Sequence, residues 1–216
     1  MLLKTDINLL KNLGSIFCIG CFYSSISFAD VIDCTDSKNP SSKTVCSSKF
    51  KEQRDALEIA TLTTNLITDA PIQLVKDTHS LWFNRLNLCK SFDCYKQQFE
   101  LRLEELNFYT SMNQSLTQHY LKYENGEISK QPIYLQIHQL TKDNIKVEGV
   151  AYRNPNNRLE SQTIPFLAYS TTEKKSEIVD NENDCKYTFS YHKAYLSVKS
   201  MQKNCDRFTG IYRLYD

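Results

Sequence analysis

The stretch "WFNRLNLCKSFDCYKQQFELRLEEL" (residues 82–106) places Cys89 and Cys94 where one helical pattern stops and another starts. Before them, Ile72, Val75, His79, Phe83 and Leu86 recur at spacings of three and four, as on one helix face. After them, Asp93 is a candidate cap for a helix whose face carries Tyr95, Phe99, Leu103, Leu106 and Tyr109, with the pattern running on through Leu116 and Tyr120. Upstream, Ser47 and Ser48 are candidate N-caps for a helix with Phe50, Leu57, Ala60, Thr64 and Ile67 on one side. The segment "TDAP" ends that helix, and Pro71 suits the first turn of the next. "ENGE" (residues 124–127) is a turn signal that closes the run. Together these patterns predict a three-helix bundle over residues 30–122.

The compartment follows from the thiols and the leader. Lys4 and Lys11 precede the short apolar stretch "LGSIFCIGCF", and Ser27 and Ala29 occupy the small-residue positions of a signal-peptidase site. The expectation is a signal peptide over residues 1–29, cleaved after Ala29, with export to the periplasm or beyond. A buried N-terminal helix is the plainer alternative. A lipid anchor on Cys21 is another, disfavoured because Cys18 stands where a lipobox usually has Leu. The apolar part is too short to predict a membrane span. Cleavage would leave six of the eight cysteines: Cys34, Cys46, Cys89, Cys94, Cys185 and Cys205. An even count behind an export signal predicts disulfides. Removing Lys4 and Lys11 from 26 basic residues, and Asp6 from 25 acidic ones, leaves 24 of each. A neutral chain gives no support to nucleic-acid binding, which needs a basic face.

Three consecutive helices on short connections alternate in direction, which brings Cys46, Cys89 and Cys94 to one end of the bundle near Cys34. The seam thiols are then expected to staple the bundle to its N-terminal arm. Linking each of Cys34 and Cys46 to one of Cys89 and Cys94 closes the longer loops and stabilises most in the entropic picture, though three pairings stay open.

From Gln131 the period changes to two. "PIYLQIHQL", "IKVEGVAY", "TIPFLAYST", "CKYTFSY", "AYLSVKS" and "FTGIYRLY" are short, β-branched and aromatic. Six such strands predict a small antiparallel sheet curled toward a barrel over residues 131–216, with Cys185 and Cys205 joined across a hairpin-like segment. "RNPNNR" and "DNENDC" are loops. The fold class expected is therefore α+β.

The helical half resembles the lysozyme-inhibitor LprI-like family. The resemblance rests on Asp33–Cys34, on "SKTVC" ending at Cys46 with Asp55 nine residues later, and on Trp82 seven residues before Cys89. The tail "CYKQQFELRLEEL" adds Cys94, Phe99, Arg102 and Leu106 at the family's spacing. It spans about a third of the chain, residues 33–106. Leu86 stands where the family usually has Arg, with Arg85 one position early, and Arg54 replaces a usual Leu. The resemblance implies a periplasmic or secreted helical domain and, for some members, inhibition of host lysozyme.

No arrangement of residues suggests catalysis. His79, His119, His138 and His192 show no metal-ligand spacing, Glu104 and Glu105 are adjacent and read as a solvated helix face, and no nucleophile elbow or phosphate loop is present. The expectation is a non-catalytic binding protein without a cofactor. Candidate partner contacts are Glu177, Asp180, Glu182 and Asp184 in the acidic "EIVDNENDC" loop, which would complement a basic lysozyme. Trp82 and Arg102 are further candidates, although core packing for the indole and a structural role for the guanidinium are the simpler readings. The partner expected is a lysozyme-type muramidase, or alternatively another envelope protein or secreted effector bound by a periplasmic adaptor or immunity-type protein.

Overall fold

The structure, a computed structural model, describes residues 31–35, 39–110, 116–157 and 161–216. The leader expected over residues 1–29, with Cys18 and Cys21, lies outside the described residues. The remainder is α+β: helices α1 (Pro40–Val45), α2 (Lys51–Ile67), α3 (Ile72–Leu88) and α4 (Phe92–Thr110) precede nine strands. The strands are β1 (Thr117–Glu124), β2 (Glu127–Ile128), β3 (Ile133–Gln139), β4 (Asn144–Tyr152), β5 (Thr163–Thr171), β6 (Glu177–Val179), β7 (Lys186–Tyr191), β8 (Tyr195–Lys199) and β9 (Gly210–Tyr215).

The three long helices fall where the periodicity places them, with local corrections. Asn39 caps α1 by accepting the Ser41 N–H, and Pro40 takes the first helical position. Arg54 donates to the carbonyls of Val45 and Ser47, clasping α1 to the start of α2. Ser91, not Asp93, caps α4: its hydroxyl accepts the Cys94 N–H at 3.3 Å. The buried face of α2 keeps Leu57 and Thr64 but leaves Ile67 exposed, and Ile72 of α3 is exposed too. α3 instead buries Leu74, Val75, Thr78, Leu81, Trp82, Arg85 and Leu86, because it is covered on more than one side.

The largest correction concerns the end of the helical half. The pattern through Leu116 and Tyr120 is not helix: Thr117–Glu124 is a strand, so the boundary expected at residue 122 falls inside β1. Its residues His119, Tyr120 and Leu121 are all buried. A strand covered on both faces loses its alternation and leaves no period-two signal. "ENGE" is then the β1–β2 hairpin turn, with Asn125 (φ 55°) and Gly126 (φ 85°) both left-handed, the pair a tight primed turn requires.

All pairings are antiparallel, in the order β5-β4-β3-β1-β9-β8-β7-β6, with β2 beside β1. The two ends of this sheet meet. Asn181 N–H donates to the Leu167 carbonyl at 2.7 Å, and Asp180 accepts the Leu167 N–H, so the sheet curls into a nearly closed barrel. Its interior holds Leu135, Val147, Phe166, Phe189, Leu196 and Tyr212 among others. The opposite face of the same strands turns Leu121, Tyr134, Tyr152 and Tyr215 into the core of the helical layer. Gly149 lets β4 approach β3 closely, since a Cβ there would sit 2.4 Å from the Tyr134 carbonyl oxygen.

Among the described residues three disulfides form: Cys34–Cys46, Cys89–Cys94 and Cys185–Cys205. The third matches the expected hairpin staple. The first two overturn the expected cross-links between arm and seam. The short helix α1 folds the arm back on itself, which leaves Cys34 and Cys46 with Cα atoms 5.6 Å apart, while the tight α3–α4 turn does the same for Cys89 and Cys94 at 5.5 Å. The arm still meets the seam, through hydrogen bonds. Tyr95 donates its hydroxyl to the Cys89 carbonyl and shares a hydrogen bond with the Ser41 hydroxyl, and Asn39 Nδ2 donates to Asn87 Oδ1.

Candidate functional site

Helix α4 crosses the outer face of β3, β4 and β5, and between them lies a groove of about 410 Å³. Its walls come from both layers. Leu101, Glu104, Glu105, Phe108 and Tyr109 project from α4; Tyr134 and Gln136 come from β3, and Glu148, Val150 and Tyr152 from β4. Thr163, Pro165 and Leu167 of β5 complete the far side, and Glu182 reaches in from the β6–β7 loop. Apart from Gly149 and Phe166, which also border the groove, the lining β-residues stand on the side away from the barrel interior, as strand alternation dictates.

The lining is apolar and aromatic with four carboxylates: Glu104, Glu105, Glu148 and Glu182. No Lys, Arg or His is among the described lining residues. Two of the four are partly compensated from outside the groove. Arg102 Nη1 contacts Glu105 Oε2 at 2.5 Å, both side chains being almost wholly buried. Lys146 and His138 contact Glu148. Burial works against the charge of Glu148, but hydrogen bonds from His138 and Lys146 outweigh it and hold its carboxyl below the usual range. Glu104 and Glu182 are exposed and make no ion pair among the described residues.

The floor is a cluster of buried polar groups. Tyr109, Tyr134 and Tyr152 all have phenols pushed upward, first by burial and next by the nearby Glu105 charge, so they stay neutral donors and acceptors. Arg85 lies with its guanidinium 3.7 Å above the Tyr152 ring and donates from Nε to Gln98 Oε1. Gln98 continues to Gln162, and Gln162 to the Pro155 carbonyl, which ties the β4–β5 loop to the helical seam.

This geometry re-sorts the expected contacts. Trp82 is 0% exposed, with its indole N–H on the Gln98 carbonyl at 2.7 Å, and so belongs to the core. Arg102 is also 0% exposed. It holds the Val75 carbonyl and Thr78 Oγ1 as well as Glu105, a structural role at mid-helix. Asp180 is buried too, accepting from Leu167, Glu182 and Asn183 where the barrel closes, so it is not part of an acidic surface loop. Glu177, Glu182 and Asp184 are exposed, and of these only Glu182 lines the groove. Glu104 and Glu105 do not form the solvated face expected, since Glu105 turns inward. Its spacing of three from Arg102 was the available signal. Glu148 had none, because its place depends on the β3–β4–β5 register.

No group of three or more His, Cys, Asp or Glu among the described residues is placed to hold a metal ion. No described helix is long and apolar enough to cross a membrane. Fold and groove together define a helix-clamped antiparallel barrel with an acidic, aromatic-floored cleft. The chain matches no protein-family model, no curated protein and no solved structure.

Proposed function

We propose that this is an exported, non-catalytic binding protein that docks a basic protein of the lysozyme-type muramidase class and blocks its action. The observation that carries the reading is the acid-walled groove, in which four carboxylates face one cleft with no cation among its described lining residues. Such a surface complements a strongly cationic partner and steers it during encounter. Three disulfides fit an oxidising compartment, and the export signal and the LprI-like resemblance of residues 33–106 point the same way. The test is titration of the oxidised protein, begun at Asp30, against a basic lysozyme acting on cell-wall substrate. Lysis falling in proportion to added protein supports the proposal, and undiminished lysis at large molar excess removes it.

A second reading has its own observation. Ile59, Leu62 and Leu66 form an exposed apolar stripe on α2, and Ile67 and Ile72 extend it. A contiguous apolar face of this kind suits a protein contact. It favours an adaptor or immunity-type role toward another envelope protein. Crosslinking in the envelope separates the readings: a dominant partner unrelated to muramidases, joined through α2, selects the second.

A further inference from the structure

We propose that the outer face of α2 is the contact of a two-fold symmetric dimer, covered in solution by the same face of a second copy of this chain. The inference concerns this face alone. It is independent of the groove reading, and it competes with the adaptor reading, which gives the face to a foreign protein.

The chemistry of α2 changes midway along the helix. Its first eight residues, "KEQRDALE" (residues 51–58), include Lys51, Glu52, Arg54, Asp55 and Glu58, the mixed charge of a solvated surface. The remainder, "IATLTTNLI" (residues 59–67), carries no charge. Leu57 and Thr64 take the inward side of α2. Ile59, Leu62 and Leu66 lie on the opposite side, 67%, 38% and 70% exposed, with Ile67 and Ile72 beside them at 62% and 45%. Losing all charge from a solvent-facing helix surface over about two and a half turns marks a surface that is covered in use.

Two features assign the cover to a second copy. The first is the missing charge. Across a two-fold axis each group meets its own image, so a charge beside the axis faces a like charge, whereas a foreign partner can supply the opposite sign and be steered by it. A charge-free stripe is what self-contact demands. Ile59, Leu62 and Leu66 also follow the three-and-four spacing of a helix–helix seam. Two antiparallel α2 helices with the axis beside Leu62 set Ile59 of each copy against Leu66 of the other. The second feature is size. The five side chains present on the order of 500 Å² of apolar surface, the scale of a functional patch. Paired about the axis they bury about 1,000 Å², enough for a specific but weak contact. No residue of α2 lines the groove, so the dimer carries two grooves.

Sedimentation velocity on the whole oxidised protein, begun at Asp30, tests the inference. The parent should pass from one-chain to two-chain mass with a midpoint on the order of 50 μM. Leu62→Lys with Leu66→Lys alters only exposed side chains, so its urea midpoint should match the parent's. It should stay at one-chain mass, with self-association weakened at least about hundredfold by like charges meeting at the axis. A measurement on the parent alone guards against a variant that misfolds: on dilution, amide NMR shifts should concentrate at Ile59, Leu62, Leu66 and Ile72. A parent that keeps one-chain mass up to about 500 μM overturns the inference. So does a dimer that survives in the folded variant, or dilution shifts confined to other surfaces. A one-chain parent held through α2 by another envelope protein gives the face to the adaptor reading instead.

Discussion

Arg102 and Glu105 form a buried ion pair one turn apart on α4, with side chains 0% and 7% exposed, and Arg102 also holds the Val75 carbonyl of α3. One helix thereby fixes its neighbour and the groove floor with a single guanidinium. Truncating one partner strands the other charge in the core. Arg102→Met should destabilise the protein by about 3–5 kcal/mol, whereas the double change Arg102→Met with Glu105→Gln should recover much of that loss. Urea unfolding followed by the emission of Trp82, the only tryptophan, measures both. A single variant as stable as the parent would contradict the assignment.

Asp180 gives a sharper separation of structure from binding. Its carboxylate accepts from the Leu167 and Glu182 N–H groups and from Asn183 Nδ2, where the two ends of the sheet meet. Asp180→Ala should cost about 2–3 kcal/mol in stability, since buried donors lose their acceptor. At temperatures where the variant remains folded, its partner binding should match the parent. A binding defect without a stability defect would return Asp180 to the recognition surface.

Much of this architecture is legible in the sequence, and each exception has its own physical cause. Strands β3, β4, β5, β7, β8 and β9 coincide with period-two stretches, because each has one face in the barrel and a distinct environment on the other. β1 escapes because helices cover its outer face, which makes His119 and Leu121 as buried as Tyr120 between them. Helix α1 is too short to show periodicity, and Asn39–Pro40 was its sole signal as cap and first helical residue. Missing α1 hid the local Cys34–Cys46 pairing, since without it the arm has no means of turning back. The groove is the least legible feature: Glu104 and Glu105 are neighbours in sequence, but Glu148 and Glu182 join them only through tertiary register.

Acid should loosen the contact between helices and sheet. His79 and His119 are held neutral, both lowered to about 4, first by burial and then by the charges of Arg102 and His138 respectively. In the unfolded chain they titrate near the ordinary 6.5. Between these values the unfolded state binds more protons, so their contribution to stability is complete above about pH 6.5 and is lost as pH falls toward 4. Glu148, whose folded carboxyl sits below its usual range, adds a further loss at the acid end. Both His119 ring nitrogens lack partners, so His119→Phe leaves nothing unsatisfied. The variant should resist acid better: its urea midpoint should fall less between pH 7 and pH 4.5 than the parent's. An unchanged pH slope would exclude His119 as a contributor.

The disulfides should contribute unequally. Loop lengths of 12, 5 and 20 residues for Cys34–Cys46, Cys89–Cys94 and Cys185–Cys205 correspond to about 3, 2 and 3 kcal/mol in the chain-entropy picture. Replacing Cys89 and Cys94 together by Ala should therefore be the mildest double change, because Tyr95 still holds the seam through Ser41. Non-reducing peptide mapping should recover these three pairs. A peptide linking Cys34 or Cys46 to the α3–α4 turn would refute the local pairing.

The central claim, that the carboxylates at the groove mouth recruit a basic partner, is tested most directly by calorimetric titration with a basic lysozyme. The parent and the double variant Glu104→Lys with Glu182→Lys should be compared at low and moderate salt. Both positions are exposed, so the variant should fold as the parent does. Binding by the parent should weaken with salt, and the variant should lose at least about tenfold at low salt. Equal affinity of the two proteins, or no binding by the parent, would contradict the claim.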